Sequence, residues 1–292
     1  MKFSHYLLIG MSLSYSVFAL SHEVPDDVKA DVTISILGDY RYIDSNGIPA
    51  IHGEFPNSGN PNTISAQPYR FRAPVAPVLA SHDTPVSRGS DSGVALNGVP
   101  FDPLSIEYWN DGQRTHQSSP WNYEAMTNAS ELGLDAQNAH VQPNGAYHYH
   151  GLPEALYKQL SEGKTPPDHM ILIGYAADGF PMYALYGYSE ANNAKSALKL
   201  LLPSYSLITG ARPADAPAGN YDGTFVEDYA YIASSGDLDE CNGRSGVTPE
   251  YPQGTYYYMV TNEYPYIPHC YRGTPDPSFS KRKFGPPPHH DN

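Results

Sequence analysis

No apolar stretch of this sequence is long enough to cross a membrane comfortably. The N-terminal run from Tyr6 to Phe18 follows Met1-Lys2 and leads to the small residue Ala19. A short apolar segment behind a positive charge is typical of a cleaved secretory signal, and no cysteine follows it to carry a lipid. We predict a signal peptide over residues 1–19 and a soluble protein that is exported, either periplasmic or extracellular. An uncleaved N-terminal anchor is the alternative.

Cysteine is scarce as well. Cys241 and Cys270 are the only two, and no zinc-ribbon spacing is present. An exported chain meets oxidising conditions, which favour a disulfide over free thiols. We therefore predict a Cys241–Cys270 disulfide that closes a loop near the C-terminus; the alternative is a pair of thiolate ligands for a soft metal.

Positive charge is in short supply. Lys and Arg number 17 against 31 Asp and Glu, which gives a formal net charge of -14. An acidic surface repels nucleic acids and anionic membranes and attracts cations. We therefore expect no nucleic-acid partner and no membrane partner after signal cleavage.

Common catalytic signatures are absent: the sequence has no G-x-S-x-G, no P-loop and no Rossmann glycine pattern. It is instead rich in 28 Pro, 25 Gly and 25 Tyr, which favours short strands and turns over long helices. We predict a mainly β fold, an antiparallel sandwich or barrel-like sheet of hairpins with a few short helices. One domain is expected over residues 20–280, followed by a disordered basic, Pro- and His-rich tail over 281–292.

Local patterns predict several elements. Alternating apolar residues indicate a first strand over 30–37. Asn97-Gly98 and Asp178-Gly179 lie between apolar flanks and predict hairpin turns. Helical patterns occur at three places: 123–132, 153–163 and 192–202.

The segment 138–151, N-A-H-V-Q-P-N-G-A-Y-H-Y-H-G, has the composition of a tight hairpin. Pro143-Asn144-Gly145 supplies the turn, since Pro fixes its own φ and Asn and Gly tolerate a left-handed backbone. This register puts His140 opposite His148, about 4.5–5.5 Å away at Cβ. Because side chains alternate along a strand, His148 and His150 share one face and Tyr147 and Tyr149 the other. The hairpin thus predicts three converging imidazoles.

The same segment resembles the signature of the YHYH domain family, whose name comes from its motif. Further segments resemble that family: S-N-G-I-P at 45–49, G-N-P-N-T-I at 59–64, V-A-L-N-G-V-P-F-D at 94–102, I-G-Y-A-A-D-G-F-P at 173–181 and L-D-E-C-N-G at 238–243. The resemblance covers most of the mature chain and implies membership of a family without an assigned activity.

The hairpin motif has an internal echo. Leu134-Asp135-x-x-Asn138 recurs as Leu238-Asp239-x-x-Asn242, and each copy is followed by the same Pro-x-Gly-x-Tyr-x-Tyr spacing. In the second copy Arg244, Tyr257 and Met259 replace His140, His148 and His150. The shared residues are therefore expected to form a scaffold, and the histidines to serve another purpose.

Three neutral imidazoles suit a transition metal and leave a coordination position open. We predict a site for copper or zinc, which favour nitrogen ligands, at His140, His148 and His150. Candidate additional groups are His169, His116 and Asp178 as outer ligands, and Asp135 or Asn138 as residues that orient an imidazole. The alternatives are histidines exposed on a strand or a metal-free network of Tyr and His.

Two other functions remain open. A metal-free extracellular module for a glycan or another small ligand would use the Tyr and Trp surface, with Asp102, Glu107 and Glu124 near Trp109 and Trp121. A metal-dependent hydrolase or oxidase would use the open coordination position. In every case the expected partner is a metal ion or a small molecule.

Overall fold

The computed structural model describes residues 31–110 and 119–281. Within these ranges the fold is mainly β, as predicted, and the sheets do not close into a barrel. Helix α1 (Glu154–Leu160) lies inside the predicted segment 153–163. Within the same ranges, no helix is long and apolar enough to span a bilayer.

The other two predicted helices are wrong. Residues 123–132 form turns, in which the Asn128 side chain donates to the carbonyl oxygens of Glu124 and Thr224 and so competes with a regular helix. The segment 192–202 contains a short strand after a turn, in which Asn193 Oδ1 accepts a hydrogen bond from the Lys195 backbone. Side-chain hydrogen bonds to the backbone favour turns at both places.

The strands of the described residues follow one another along the chain. They are β1 (Val32–Leu37), β2 (Tyr40–Ser45), β3 (Tyr69–Pro74), β4 (Thr84–Pro85), β5 (Gly93–Ala95), β6 (Pro100–Phe101), β7 (Ala139–Val141), β8 (Tyr147–Tyr149), β9 (Ile171–Ala176), β10 (Pro181–Ala184), β11 (Tyr186–Tyr188), β12 (Leu198–Leu200), β13 (Tyr205–Leu207), β14 (Tyr229–Tyr231), β15 (Gly243–Gly246), β16 (Thr255–Val260) and β17 (Cys270–Tyr271). Short 3-10 turns lie at Val226–Asp228 and Pro277–Phe279.

The largest sheet has eight strands in the order β15-β16-β10-β9-β5-β6-β8-β7. Its two faces are covered by separate cores, because successive residues of each strand point to opposite sides. Tyr147, Ile173 and Tyr258 belong to one core. Leu172 and Tyr257 belong to the other, which also contains residues of the three-stranded sheet β1-β2-β3.

The eight-stranded sheet has pseudo-twofold symmetry. At its centre β5 and β9 pair antiparallel through Val94 and Tyr175, and the flanking residues pair crosswise, Gly93 with Ala176 and Ala95 with Gly174. The turn at Asn97-Gly98 connects β5 to β6, which pairs parallel with β8. The turn at Asp178-Gly179 connects β9 to β10, which pairs parallel with β16. The predicted echo is therefore part of a longer structural repeat.

The histidine hairpin and the second hairpin occupy equivalent positions. His140 pairs with His148 in β7 and β8, and Arg244 pairs with Tyr257 in β15 and β16. In each copy the aspartate that precedes the hairpin accepts a hydrogen bond from the first tyrosine of the returning strand, at 2.7 Å from Tyr147 and 3.0 Å from Tyr256. The scaffold predicted from the echo is confirmed.

The two cysteines form the predicted disulfide. Cys241 precedes β15 and Cys270 begins β17. Both side chains are buried in the core that contains Tyr147 and Tyr149 of the histidine hairpin. The bond closes a loop with a sequence separation of 29 residues. Asp83 lies beside the two cysteines, but its carboxylate pairs with Arg272 at 2.8 and 2.9 Å.

The chain ends predicted from sequence are covered only in part. The predicted signal peptide, 1–19, lies outside the described residues, as do most of the predicted tail and His116. Only the first residue of the predicted tail, Lys281, is described. Ser280 forms a bridge with Ser90, and the Lys281 ammonium is ion-paired with two buried aspartates, so both residues belong to the fold. A search for apolar core residues does not predict this contact, because it is an ion pair of a charged side chain.

The two hairpins supply a matched test of the turn. Gly145 and Gly254 have φ of +86° and +91°, so alanine is strained at either position. A Cβ at Gly145 would lie 1.9 Å from Ser65 Oγ, whereas at Gly254 its nearest neighbour would be 3.7 Å away. We expect Gly145→Ala to lower the free energy of unfolding by about 1 kcal/mol or more beyond Gly254→Ala. Urea unfolding of both variants measures this; equal losses would contradict the packing of Ser65 on the turn.

Candidate metal centre

The histidine hairpin has the predicted turn and register. Gly145 takes the left-handed conformation, its N–H donates to the Gln142 carbonyl at 2.8 Å, and Asn144 Oδ1 accepts from the Ala146 N–H at 3.1 Å. Tyr147 and Tyr149 are 0% and 1% exposed on the core face. The opposite face therefore carries the imidazoles.

The three imidazoles converge on one point. His150 Nε2 lies 3.0 Å from His148 Nε2 and 3.2 Å from His140 Nε2. The ring centroids of the three pairs are 4.7, 4.7 and 4.8 Å apart. His148 and His150 are 2% and 3% exposed and His140 is partly buried. The cluster is therefore buried, and the alternative of histidines exposed on a strand does not hold.

Backbone carbonyls define the tautomers of two rings. His140 Nδ1 lies 2.8 Å from the Leu132 carbonyl oxygen, and His148 Nδ1 lies 3.3 Å from that of Ala146. A carbonyl only accepts, so each Nδ1 carries the proton and each Nε2 has a free lone pair. His150 Nδ1 makes no well-formed hydrogen bond, although the Asp102 backbone is close enough to favour its protonation. The Nε2 atoms of His140 and His148 are therefore both acceptors, and a proton on His150 Nε2 would serve only one of its two contacts with them.

Burial keeps these rings neutral. It lowers the pKa of His140, and it lowers the pKa of His148 and His150 well below the ordinary value of 6.5. Nearby imidazoles and the Lys281 ammonium act in the same direction, because a second positive charge close by is unfavourable. Neutral imidazole is the form that binds metals.

The spacing of the ring nitrogens matches a tetrahedral metal. Zinc–nitrogen bonds of about 2.0–2.1 Å place two ligands of a tetrahedron about 3.3–3.4 Å apart. The observed separations of 3.0 and 3.2 Å lie within a few tenths of an ångström of that value. Two lone pairs at such a distance repel unless a proton or a cation lies between them. The residues therefore fit a metal ion.

The cluster lies at a cavity of about 130 Å³, which is large enough for several waters or a small ligand. Its wall includes Asp102, Glu107 and Gln142, and the loop 59–62 closes one side. Asp102 Oδ2 is 4.0 Å from His148 Nε2 and accepts a hydrogen bond from Gln142 Nε2 at 3.3 Å. A carboxylate therefore faces the ring nitrogens.

Asp102 is ion-paired on its other side. The Lys281 ammonium contacts Asp102 Oδ2 and lies 3.4 Å from Asp91 Oδ1. The carboxylates of Asp102 and Asp91 are 5% and 6% exposed. Lys281 and two buried carboxyl groups are thus packed together directly behind the histidine cluster, and burial raises the pKa of Asp91 to about 7.

The residues predicted to support the histidines have other partners. Asp135 Oδ2 accepts from Tyr147 OH at 2.7 Å and from the Gly53 N–H at 2.6 Å, so it holds the hairpin scaffold. The Asn138 side chain donates to the Leu152 carbonyl at 2.8 Å, although the Asn138 carbonyl accepts from the His150 backbone. Neither side chain is hydrogen-bonded to an imidazole, and backbone carbonyls contact the Nδ1 atoms of His140 and His148 instead.

Two predicted outer ligands do not reach the cluster. His169 is an exposed residue beyond α1 and is not among the grouped histidines. Asp178 is 1% exposed in the β9–β10 turn, where it accepts from Tyr258 OH at 2.5 Å and from the Gly273 N–H at 2.9 Å. It is the structural counterpart of Asn97, whose side chain donates to Tyr149 OH at 2.9 Å.

Two residues near the cluster were not predicted to belong there. From the sequence, Asp102 is a candidate only as an acid in a sugar-binding cleft, and Lys281 belongs to the predicted tail. The V-P-F-D sequence after Asn97-Gly98 is the feature that could have predicted this position of Asp102. It forms β6, which runs parallel to β8 and brings residue 102 beside the histidines. No local pattern marks Lys281.

These features define a class of protein: a mainly β chain with a buried three-histidine cluster on one hairpin, beside a small acidic cavity. The sequence profile of YHYH proteins matches residues 70–273. The chain belongs to this family, as its resemblance indicated. No curated protein and no solved structure matches the chain.

The buried cluster predicts a pH-dependent stability in the absence of metal. Because the pKa of His148 and His150 is lower in the folded chain, the unfolded chain takes up more protons below pH 6.5. The free energy of unfolding should therefore fall with pH, by up to about 1.4 kcal/mol per pH unit for each histidine.

Urea unfolding between pH 7.5 and 5 in the presence of a chelator measures this dependence. The His148→Gln/His150→Gln variant should have a shallower slope than the wild type, whereas His169→Gln should keep the wild-type slope. Equal slopes for the wild type and the double variant would contradict neutral burial of the two rings.

Proposed function

We propose that the protein binds a transition-metal ion, copper or zinc, through His140, His148 and His150. The observation that carries the proposal is the approach of three imidazole Nε2 atoms at 3.0 and 3.2 Å with at most one proton among them. A buried acceptor without a partner costs about 1–3 kcal/mol. A bound cation satisfies all three nitrogens at once, which a hydrogen-bond network of these rings does not do.

The ligand chemistry favours particular metals. Imidazole nitrogens bind copper and zinc well, whereas calcium and magnesium prefer six or more oxygen ligands or retained waters. The second hairpin provides a comparison within the chain, because the same scaffold there holds Arg244 hydrogen-bonded to Tyr257 at 2.6 Å. The second hairpin has this scaffold without histidines, so the scaffold does not need them in order to form. Metal binding would explain why the first hairpin has three.

A metal-dependent hydrolase or oxidase is a second candidate. It is favoured by the cavity beside the cluster and by the Asp102 carboxylate, which lies 4.0 Å from His148 Nε2 and could serve as a general base for a water in the cavity. Zinc-loaded protein should then hydrolyse an activated ester such as p-nitrophenyl acetate, and Asp102→Asn should reduce kcat. A rate equal to that of free zinc would exclude a hydrolase of this kind.

The structure offers less support for a glycan-binding module. Among the described residues, every Tyr and Trp side chain is at least partly buried. Trp121 is 8% exposed and packs edge-on against Phe225, and Glu124 is buried with Oε2 accepting from the Thr127 N–H at 2.6 Å. Asp102 and Glu107 line the cavity beside the histidines instead. The aromatic side chains mainly form cores.

We also propose that the chain is exported to the periplasm or the extracellular space. The Cys241–Cys270 disulfide supports this, because such bonds persist in oxidising compartments. The mass of the mature chain should correspond to cleavage after Ala19 and an intact disulfide. An intact N-terminus with two reduced cysteines would exclude export.

Metal analysis tests the main proposal. Purified mature protein offered copper and zinc should retain close to one ion per chain after dialysis. His148→Ala/His150→Ala should lose more than the roughly 10–100-fold of affinity that removal of an outer partner costs. Elemental analysis and titration calorimetry measure the stoichiometry and the affinity.

His169→Ala is the matched control, because this histidine is exposed and lies outside the cluster. It should bind metal as the wild type does, and circular dichroism should show that both variants are folded. A wild-type protein that stays free of copper and zinc would overturn the proposal. Unfolding of the double variant, without metal in the wild type, would instead indicate a structural Tyr and His network.

A further inference from the structure

Asp102 lies beside the position of a fourth metal ligand but outside it. In a tetrahedral site with three imidazoles, the fourth ligand atom lies about 3.3–3.4 Å from each ring nitrogen. Asp102 Oδ2 is 4.0 Å from His148 Nε2, and the Asp102 N–H donates to the Tyr149 carbonyl at 2.9 Å. The Asp102 carboxylate is not within 4.8 Å of all three ring nitrogens, so it would have to move toward the cluster to bind the metal and close the site.

Lys281 opposes that shift. Its ammonium is ion-paired with the same oxygen, Asp102 Oδ2, and lies 3.4 Å from Asp91 Oδ1. The Lys281 backbone N–H donates to the Gly89 carbonyl at 2.5 Å, so the residue is held at both ends. A metal ion and this ammonium would compete for one carboxylate oxygen.

The burial of Asp91 decides the competition. If Asp102 moved to the metal, Lys281 would lose one of its two carboxylate partners, or would follow Asp102 and leave Asp91 buried without a cation. Breaking a buried ion pair is strongly unfavourable because it leaves an uncompensated charge. The carboxylates of Asp91 and Asp102 are only 6% and 5% exposed, so water does not compensate for this loss. The ion-paired arrangement is therefore favoured when metal binds.

We propose that Lys281 holds Asp102 away from the metal and so keeps the fourth coordination position open toward the cavity. This inference rests on the proposed metal site. The open position takes water or another small Lewis base. Asp102 remains a hydrogen-bond acceptor beside that ligand, and Lys281 is a positioning residue that acts through Asp102.

Cobalt(II)-loaded protein makes the open position visible, because its absorption spectrum reports on coordination, and azide is the probe ligand. The wild-type spectrum should change on azide addition. Lys281→Met frees Asp102 to bind the metal, so cobalt should bind about tenfold more tightly and the azide response should disappear. In Lys281→Met/Asp102→Asn the response should return, because a neutral amide is a poorer ligand than a carboxylate. Lys281→Arg should behave as the wild type.

Lys199→Met is the matched control, since Lys199 pairs with Asp237 at 2.5 Å on the surface and is not among the residues that line the cavity. Its azide response should match the wild type. Asp102→Asn alone keeps the test decisive if Lys281→Met does not fold. Our proposal predicts that both the wild type and Asp102→Asn respond to azide, whereas a site closed by Asp102 predicts a response only in Asp102→Asn.

The outcomes separate the two proposals. An azide response that persists unchanged in folded, cobalt-bound Lys281→Met would overturn the role of Lys281 while leaving the metal site intact. A wild-type cobalt protein that ignores azide would overturn the open position. Failure of the wild type to bind cobalt, zinc or copper would overturn the metal site itself.

Discussion

The approach of three neutral imidazoles is the interaction on which the site depends. Their Nε2 atoms face one another at 3.0 and 3.2 Å with at most one proton among them, so at least one buried lone pair has no partner unless a cation is bound. The hairpin nevertheless keeps the rings together. The His140–His148 register brings them close, and the tyrosines of the opposite face hold the strands in the core. Fold and site are thus coupled through one short pair of strands.

The pseudo-twofold symmetry separates the scaffold from the chemistry. Both hairpins have an aspartate bonded to a tyrosine, a left-handed asparagine and a left-handed glycine turn. Only the first hairpin carries histidines. In the first half of the sheet an aspartate, Asp102, follows β6, whereas the equivalent position of the second half, in β10, is Tyr183. A carboxylate beside the rings therefore accompanies the histidines and is not a property of the repeat.

Local sequence predicts the parts of this molecule that depend on neighbouring residues. The turn at Pro143-Asn144-Gly145, the alternation of His with Tyr and the turn at Asn97-Gly98 all follow from backbone preferences and strand periodicity, and the structure confirms them. Asp102 and Lys281 were missed because β6 and the segment after the last 3-10 turn meet the hairpin only through tertiary packing. The helix predicted over 192–202 failed for a related reason, since β12 forms by pairing with β11.

X-ray absorption at the zinc edge of the loaded, mature protein tests the central claim most directly, because it reports the identity and distance of the atoms bound to the metal. We predict one zinc per chain with three imidazole nitrogens at about 2.0–2.1 Å and one further oxygen or nitrogen ligand that completes the shell. A first shell of oxygens only, or a signature of fewer than two imidazoles, would contradict binding at His140, His148 and His150.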